Sequence, residues 1–289
     1  MEKVWCGAKN KTIKGADSVI VQDAETNMIL YTRADILRKE ESEEVLKFVK
    51  YWKQINETIQ QTLVFDCKFT KYTVLNDLSN NNVKSITIHT KTKKIIEQIQ
   101  NIGEENWEKV NLPIPKRKYQ KVKVFEQNVK LTGCSMEFRQ IAVKDHGREK
   151  PTLIITNDFE LSTKKALEVY ARRWRVENKI SELVSFFNLN ALSSPLMIRI
   201  HFDMLWTFIA DTLYHILARD LRRFENNLAP TIFKKFINFP GKVKYDGVSF
   251  QIKIRKRSHT PILKDVEKLK QPFEVPWLDN KKIEIIWTN

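Results

Sequence analysis

The first part of the chain combines short apolar runs with stretches of helical periodicity. Residues 18–22 and 28–32 are strand-like runs on either side of the turn-forming residues 23–27, which predicts a β-hairpin. Ser42 and the two glutamates after it predict the start of a helix, and apolar residues then recur at helical spacing as far as Ile55.

Strands and helices continue to alternate beyond this helix. Residues 62–66 predict a strand that ends in Asp66, residues 72–78 a short helix, and residues 85–89 a second strand. This alternation predicts an α/β fold in which helices flank a sheet.

Residues 101–150 have a different pattern. The proline-containing segment 111–115 breaks the chain, and period-two alternation at 121–125 and 136–143 predicts a small antiparallel sheet between two core elements. The continuous apolar run at 152–156 predicts a strand at the centre of a sheet.

A single helix carrying Glu177 is expected after Ser162, which is a good N-cap residue. Its apolar stripe would contain Leu167, Tyr170, Trp174, Glu177, Ser181 and Val184. A further apolar helix is predicted from about Met197 to Arg222. Its most apolar stretch, Met197 to Leu217, includes two aspartates and two histidines, so it predicts a buried helix rather than a membrane span.

These patterns predict four parts of the chain. They are the first part of the core at 1–100, a β-rich insertion at 101–150, the end of the core with the Glu177 helix at 151–225, and a small basic region at 226–289.

Composition narrows the class of protein. The 289 residues are 42% hydrophobic, which is enough for a packed core and argues against a disordered chain. The net charge of +15 favours a polyanionic partner such as a nucleic acid. The three cysteines lie singly, without the spacing of a zinc site or a disulfide framework, which fits a reducing cytoplasm.

Two acidic residues stand out as candidates for metal chemistry. Asp66 ends a predicted strand, and Glu177 lies on the predicted apolar face of a helix, where a carboxylate is costly without a cation. Two such acids can hold Mg²⁺ for phosphoryl transfer. Two alternatives stay open: Asp66 as the cap of the following helix, and Glu177 as the ion-pair partner of Arg173, four residues earlier.

A two-metal site usually needs a third acid. Asp23 is the candidate, although it falls in a predicted turn, where aspartate is common. The five histidines have no ligand spacing. Lys91 and Lys93, directly after the strand at 85–89, are candidate contacts for a nucleic acid backbone.

The acidic residues occur in a recognisable order. The spacing Tyr170-x-x-Arg173-x-x-x-Glu177, preceded by the strand that ends in Asp66, resembles the insertion-sequence transposases that have a DDE catalytic triad. Members with a β-rich insertion carry the signature Tyr-x-x-Arg-x-x-x-Glu-x6-Lys. Val184 stands at the lysine position here, which is a departure from the family pattern.

This resemblance implies a ribonuclease H-like mixed sheet with flanking helices and an inserted antiparallel β region. It implies DNA strand cleavage and transfer in cut-and-paste transposition, with two Mg²⁺ ions, or Mn²⁺ as a substitute, held by Asp66 and Glu177. Tyr170 and Arg173 would contact DNA. The implied partners are transposon-end and target DNA and a second copy in a homodimeric synaptic complex, in the nucleoid-associated cytoplasm of a prokaryote.

The family core opens with three strands, and its first catalytic aspartate lies on the first of them. Only two strands are predicted before the Ser42 helix. We therefore expect that the chain starts after the first strand, and that it is a truncated, inactive transposase unless Asp23 is the first acid. The alternatives are a DNA-binding remnant without catalysis, a ribonuclease H-like nuclease, and a basic structural protein whose acids form surface pairs.

Overall fold

A computed structural model describes residues 2–6, 10–113, 119–191, 193–270 and 272–289. The chain divides into two units. The first consists of Met1–Ala24 and Leu30–Glu177, and the second of Glu25–Ile29 and Asn178–Asn289.

The helices and strands up to the unit boundary include the predicted elements in their order, together with others that the sequence pattern did not predict. They are β1 (Glu2–Cys6), β2 (Lys11–Gly15), β3 (Ser18–Gln22), β4 (Ile29–Ala34), α1 (Glu43–Asn56), β5 (Leu63–Val64), α2 (Tyr72–Asn80), β6 (Ser85–Ile88), α3 (Lys93–Gln100), β7 (Glu108–Asn111), β8 (Lys121–Lys130), β9 (Glu137–Lys144), β10 (Thr152–Thr156) and α4 (Thr163–Ala171); helix α5 (Trp174–Ser185) crosses the boundary.

Six strands form one mixed sheet in the order β5-β6-β10-β9-β8-β7. Strands β5 and β6 are parallel, and every other neighbouring pair is antiparallel. The predicted central strand is confirmed, since Ile154 of β10 lies between Ile88 of β6 and Ile141 of β9. Strands β7 to β9 are antiparallel as predicted, but they extend the core sheet instead of forming a small sheet apart from it, because β9 pairs along the whole of β10.

Helices cover both faces of this sheet. On one face Ile154 packs with Ala166 and Leu167 of α4, and on the other face its neighbour Ile155 packs with Leu75 and Leu78 of α2. Alternate residues of a strand point to opposite faces, so one strand contributes to both cores. The α/β fold with a ribonuclease H-like mixed sheet is confirmed.

Two shorter strand pairs precede α1. Strands β3 and β4 form the predicted hairpin, with Asp23 in its connection. Strands β1 and β2 form a further antiparallel pair. The prediction of only two strands before α1 is therefore wrong. Strands β1 and β2 are only five residues long, and their sequences, EKVWC and KTIKG, lack the period-two alternation that marks a strand.

The expected single helix after Ser162 is two helices. Ser162 caps α4 as predicted, because its hydroxyl oxygen accepts a hydrogen bond from the Lys165 amide at 3.3 Å. Helix α4 then ends at Ala171. The amide of Arg173 donates to the carbonyl of Tyr170, a tighter i to i+3 bond, and α5 starts in a new register. The predicted stripe from Leu167 to Val184 is therefore not continuous.

The second unit contains a long helix and a small sheet. Its further elements are α6 (Met197–Asp220), α7 (Ala229–Ile232), β11 (Gly241–Tyr245), β12 (Ser249–Arg255), α8 (Thr260–Asp265), β13 (Phe273–Val275) and β14 (Lys281–Thr288), with the four strands in the order β11-β12-β14-β13.

Helix α6 is only half buried, so the prediction of a buried helix is wrong for one of its faces. Ile200, Met204 and Phe208 are buried, whereas Phe202 and Trp206 are exposed. Within the described ranges, no helix combines the length and the apolar character needed to cross a bilayer.

Candidate active site

Asp66 lies directly beyond β5, where the parallel pair β5 and β6 ends. The hydroxyl of the fully buried Thr87 on β6 donates to the carbonyl of Phe65 at 3.0 Å and holds this strand end in place. One oxygen of Asp66, Oδ1, accepts from the Cys67 amide at 2.7 Å and caps the short turn Cys67–Phe69. Asp66 is thus a cap of this short turn and not of α2, whose N-cap residue is Lys71, and its Oδ2 remains for other contacts.

Arg173 connects Asp66 with Glu177. Its Nη1 atom lies 2.7 Å from Glu177 Oε1 and 3.8 Å from Asp66 Oδ2. Because both distances are measured from the same nitrogen, Asp66 Oδ2 and Glu177 Oε1 can be no farther apart than the sum of these two distances. The i to i+4 pairing of Arg173 with Glu177 is thus present, and the same guanidinium also reaches Asp66.

Glu177 is more exposed than its sequence position suggests. Its side chain is 59% exposed, and that of Asp66 is 44% exposed. The expectation that Glu177 sits on a packed apolar face is wrong, because the turn at Arg172 and Arg173 rotates α5 out of the register of α4. Proximity to Asp66, rather than the cost of burial, is what singles out Glu177.

The guanidinium of Arg173 is only partly satisfied. Its Nε atom is buried and has no hydrogen-bond partner in the part of the chain that the structure describes. Burial opposes the positive charge, but the nearby Tyr170, Glu177 and Asp66 outweigh it and raise the pKa of Arg173 above its usual value. Arg173 therefore stays charged, and its buried Nε–H has no acceptor among the described residues.

Tyr170 is held beside Arg173 on the last turn of α4. The centre of its ring lies 5.9 Å from the Arg173 Cζ atom, and burial raises the pKa of its hydroxyl. The loop that leads into α4 is fixed by the buried Arg139, which donates to the carbonyls of Asp158, at 2.8 Å, and Leu161, at 2.5 Å. The start of α4, and with it Tyr170, is therefore tied to strand β9.

A cleft of about 700 Å³ opens beside these residues. Asp66, Tyr170, Arg173 and Lys91 line it. Burial lowers the pKa of Lys91, and the positive charges of Arg148 and Lys150 lower it further. Lys93, at the start of α3, is exposed as Lys91 is, but it is not among the residues of the cleft.

Sequence reasoning missed two further residues of this cleft, His146 and Arg148. Both lie in the loop between β9 and β10, and His146 Nε2 is 2.8 Å from the Thr152 hydroxyl. The available signal was the polar segment around Gly147 between two predicted strands. This loop lies beside Lys91 because β10 pairs with β6, and the spacing of residues in the sequence does not reveal that pairing.

Asp23 lies in the turn between β3 and β4, next to the first turn of α5. Arg175, two residues before Glu177, donates a hydrogen bond to the carbonyl of Ala24. The hairpin turn that holds Asp23 is therefore bonded to the helix that holds Glu177.

A second group of potential metal ligands lies in the other unit. Ligand atoms of Glu182, Asp211 and His215, all buried, lie within 4.8 Å of one another. Sequence reasoning missed this group, for which the signal was an acid and a histidine four residues apart in an apolar helix.

A lysine occupies the centre of that group. The ammonium of Lys179 is 2.9 Å and 3.1 Å from the two oxygens of Asp211, 3.0 Å from Glu182 Oε2 and 2.6 Å from His215 Nε2. Burial and the charge of Lys179 lower the pKa of His215, which favours its neutral form. These residues do not fit a metal ion, because the ammonium of Lys179 already occupies the space between both carboxylates and the imidazole.

The donors at Asp66 and Glu177 do fit a divalent metal. Both offer carboxylate oxygens, the ligands that Mg²⁺ prefers, and both already contact one cationic group.

Comparison with known proteins identifies the family of this chain. A family model described as a transposase DDE domain matches residues 2–213. No curated protein matches the chain. Because the family match covers well over half of the 289 residues, the chain belongs to the family of transposases with a DDE domain.

Proposed function

We propose that this chain catalyses Mg²⁺-dependent DNA strand cleavage and transfer in cut-and-paste transposition, with Asp66 and Glu177 as two of its metal ligands. The observation that carries the proposal is the contact of both carboxylates with one nitrogen of Arg173 beside a basic cleft. These acids lie far apart in the sequence, and the sheet edge and α5 bring them together.

Asp66 would bind the metal through Oδ2 and Glu177 through Oε1, since the other oxygen of Asp66 is engaged by the Cys67 amide. When bound, Mg²⁺, or Mn²⁺ in its place, activates a water or a 3′-hydroxyl and stabilises the leaving oxygen. Arg173 would then release at least one carboxylate and turn its charge to the DNA.

Arg173 is suited to hold the scissile phosphate. Its free Nε–H and its planar fork offer parallel donors to phosphate oxygens. Lys91 and Arg148 of the cleft would neutralise neighbouring phosphates, Tyr170 would support the Arg173 side chain, and Lys93 would add a contact at the rim.

Asp23 is the candidate for the third acid. The hydrogen bond from Arg175 to Ala24 supports this role, because it ties the turn that contains Asp23 to the start of α5. If Asp23 holds metal, Asp23→Asn abolishes nicking as Asp66→Asn does. Unchanged nicking in Asp23→Asn would remove it from the site.

A second basic surface lies outside the matched segment. On one face of the sheet β11 to β14, Lys242 and Lys253 stand directly opposite each other, and Lys244, Arg255 and Lys282 lie on the same face. Like charges opposite each other destabilise a sheet, and a polyanion relieves the repulsion. This face supports DNA binding whether or not the chain is catalytic.

The test is nicking of DNA that carries the transposon ends. Asp66→Asn and Glu177→Gln should each abolish Mg²⁺-dependent nicking, whereas Glu97→Gln, the same chemical change on an exposed position of α3, should leave it intact. Nicking that persists in Glu177→Gln would refute the assignment.

Two outcomes point to other functions. Salt-sensitive DNA binding without any nicking by the wild type would favour a DNA-binding protein without catalysis. Nicking without joining of pre-cleaved ends to target DNA would favour a nuclease with a ribonuclease H-like core. For the active transposase we expect a homodimer that binds transposon ends and target DNA in the nucleoid-associated cytoplasm.

A further inference from the structure

Helix α6 has a large apolar surface on its exposed side. Exposed fractions range from 39% at Ile209 to 77% at Ile198. The residues that form this surface, called the α6 face below, are Ile198, Phe202, Leu205, Trp206, Ile209, Leu213 and Ile216. The buried side of the same helix supplies the core of its own unit, so the α6 face is not needed for that packing.

Charged residues are excluded from the middle of this surface. From Phe202 to Ile216 every exposed position of α6 is apolar. The exposed arginines lie outside this stretch: Arg199 follows Ile198 at the start of the α6 face, and Arg219 lies beyond Ile216. In a chain with 50 basic and 35 acidic residues, a solvated helix face of this length would be expected to carry several charges.

The spacing of the α6 face suits another helix. Phe202, Trp206, Ile209, Leu213 and Ile216 follow one another at intervals of four, three, four and three residues, which is the spacing of a coiled-coil seam. A seam of this kind is self-complementary, because side chains of one helix fit between those of an identical helix related by a two-fold axis.

The size of the surface matches a stable interface. Its seven side chains expose roughly 750 Å² per chain, so that pairing two copies would bury about 1,500 Å², within the standard range for specific interfaces. The largest apolar patch on a typical monomer is about 300–600 Å².

We propose that the α6 face is the docking surface for a second copy of this chain, with α6 packed against α6 about a two-fold axis. The inference deepens the homodimer expected under the proposed function, on which it rests for its biological role, but it does not depend on metal binding at Asp66 and Glu177. It assigns the dimer contact to an apolar helix face in the second unit.

The test is the oligomeric state without DNA or Mg²⁺, measured by sedimentation equilibrium over a range of concentrations. The wild type should be a dimer at micromolar concentration. Trp206→Glu should weaken dimerisation at least about 100-fold, because it places a charge within the seam. Trp277→Glu is the matched control, since Trp277 is 83% exposed but lies outside α6, and it should remain a dimer.

A crosslinking measurement keeps the test independent of the folding of Trp206→Glu. Ile209 is the middle of the seam, so Ile209→Cys should form a disulfide between two copies, whichever way the helices run. The exposed Cys67 is replaced by Ser in this experiment, and Val248→Cys, at a position 74% exposed, serves as the control that should not crosslink.

A wild type that stays monomeric, or an Ile209→Cys variant that does not crosslink, would overturn the docking surface. Neither result bears on the metal site, which nicking tests separately.

Discussion

Replacing Lys179 with Met removes the only cation at the centre of the buried group formed by Glu182, Asp211 and His215, as far as the described residues show. Methionine is close in length and apolar volume to the lysine stem, so the packing of α5 is largely kept. What changes is the charge, since two carboxylates would remain without their ammonium partner.

The size of the effect follows from burial. The side chains of Lys179, Glu182 and Asp211 are 2%, 1% and 0% exposed, so water cannot replace the lost contacts. Removing one partner of a buried ion pair typically costs about 3–5 kcal/mol of folding free energy. We expect Lys179→Met to lose about this amount at pH 7.

Urea unfolding followed by circular dichroism measures the free energy of unfolding of each variant. Lys164→Met, at an exposed position of α4, is the control and should change it by less than about 0.5 kcal/mol. The double variant Lys179→Met/Asp211→Leu should lose less than Lys179→Met alone, because it removes one of the stranded carboxylates.

Metal addition gives an independent measure of the same arrangement. With Lys179 gone, Glu182, Asp211 and His215 offer three ligand atoms within 4.8 Å, so Zn²⁺ should restore part of the stability of Lys179→Met. EDTA should not change the stability of the wild type. A loss below about 1 kcal/mol in Lys179→Met would refute the view that this ammonium stabilises the buried carboxylates.

Three further predictions concern pH, phosphate binding and the basic sheet. Burial lowers the pKa of His89 from its usual 6.5, so the stability that neutral His89 contributes is complete above pH 6.5 and is lost as the pH falls below that value. His89→Gln should therefore flatten the acidic part of a curve of unfolding free energy against pH. An unchanged slope would contradict this prediction. Arg173→Lys keeps the charge but loses the Nε donor and the planar fork of the guanidinium, so the nicking rate should fall about 100-fold while DNA affinity falls much less. Equal losses in rate and affinity would count against a contact of Arg173 with the phosphate in the transition state. Lys253→Glu should reduce the slope of log DNA affinity against log salt concentration by the equivalent of about one phosphate contact or more, and the control Lys264→Glu, on α8, should leave the slope unchanged. Identical slopes in the two variants would remove the sheet face from the DNA interface.

Local patterns predicted much of the fold. The hairpin β3–β4, the apolar strand β10 and the capping of α4 by Ser162 depend on residues close in sequence, and all three are present. Helix α6 also has nearly the predicted length.

The errors arise where non-local packing decides the structure. No proline or glycine marks the break after Ala171, so the exposed position of Glu177 was not predictable from its spacing to Tyr170. The apolar character of α6 predicted burial on all sides, because the sequence shows hydrophobicity but not whether a second chain supplies the partner.

The site was predictable only in part. Asp66, Arg173 and Glu177 could be named from the sequence, and the structure brings them together. Arg148 and His146 could not be named, because their loop reaches the cleft through the order of strands in the sheet.

The most direct test of the central claim is Mn²⁺ binding measured by electron paramagnetic resonance. The wild type should bind Mn²⁺, and both Asp66→Asn and Glu177→Gln should weaken this binding at least about tenfold, whereas Glu97→Gln should bind as the wild type does. Equal Mn²⁺ affinity in all four proteins would contradict the proposal that Asp66 and Glu177 hold the catalytic metal.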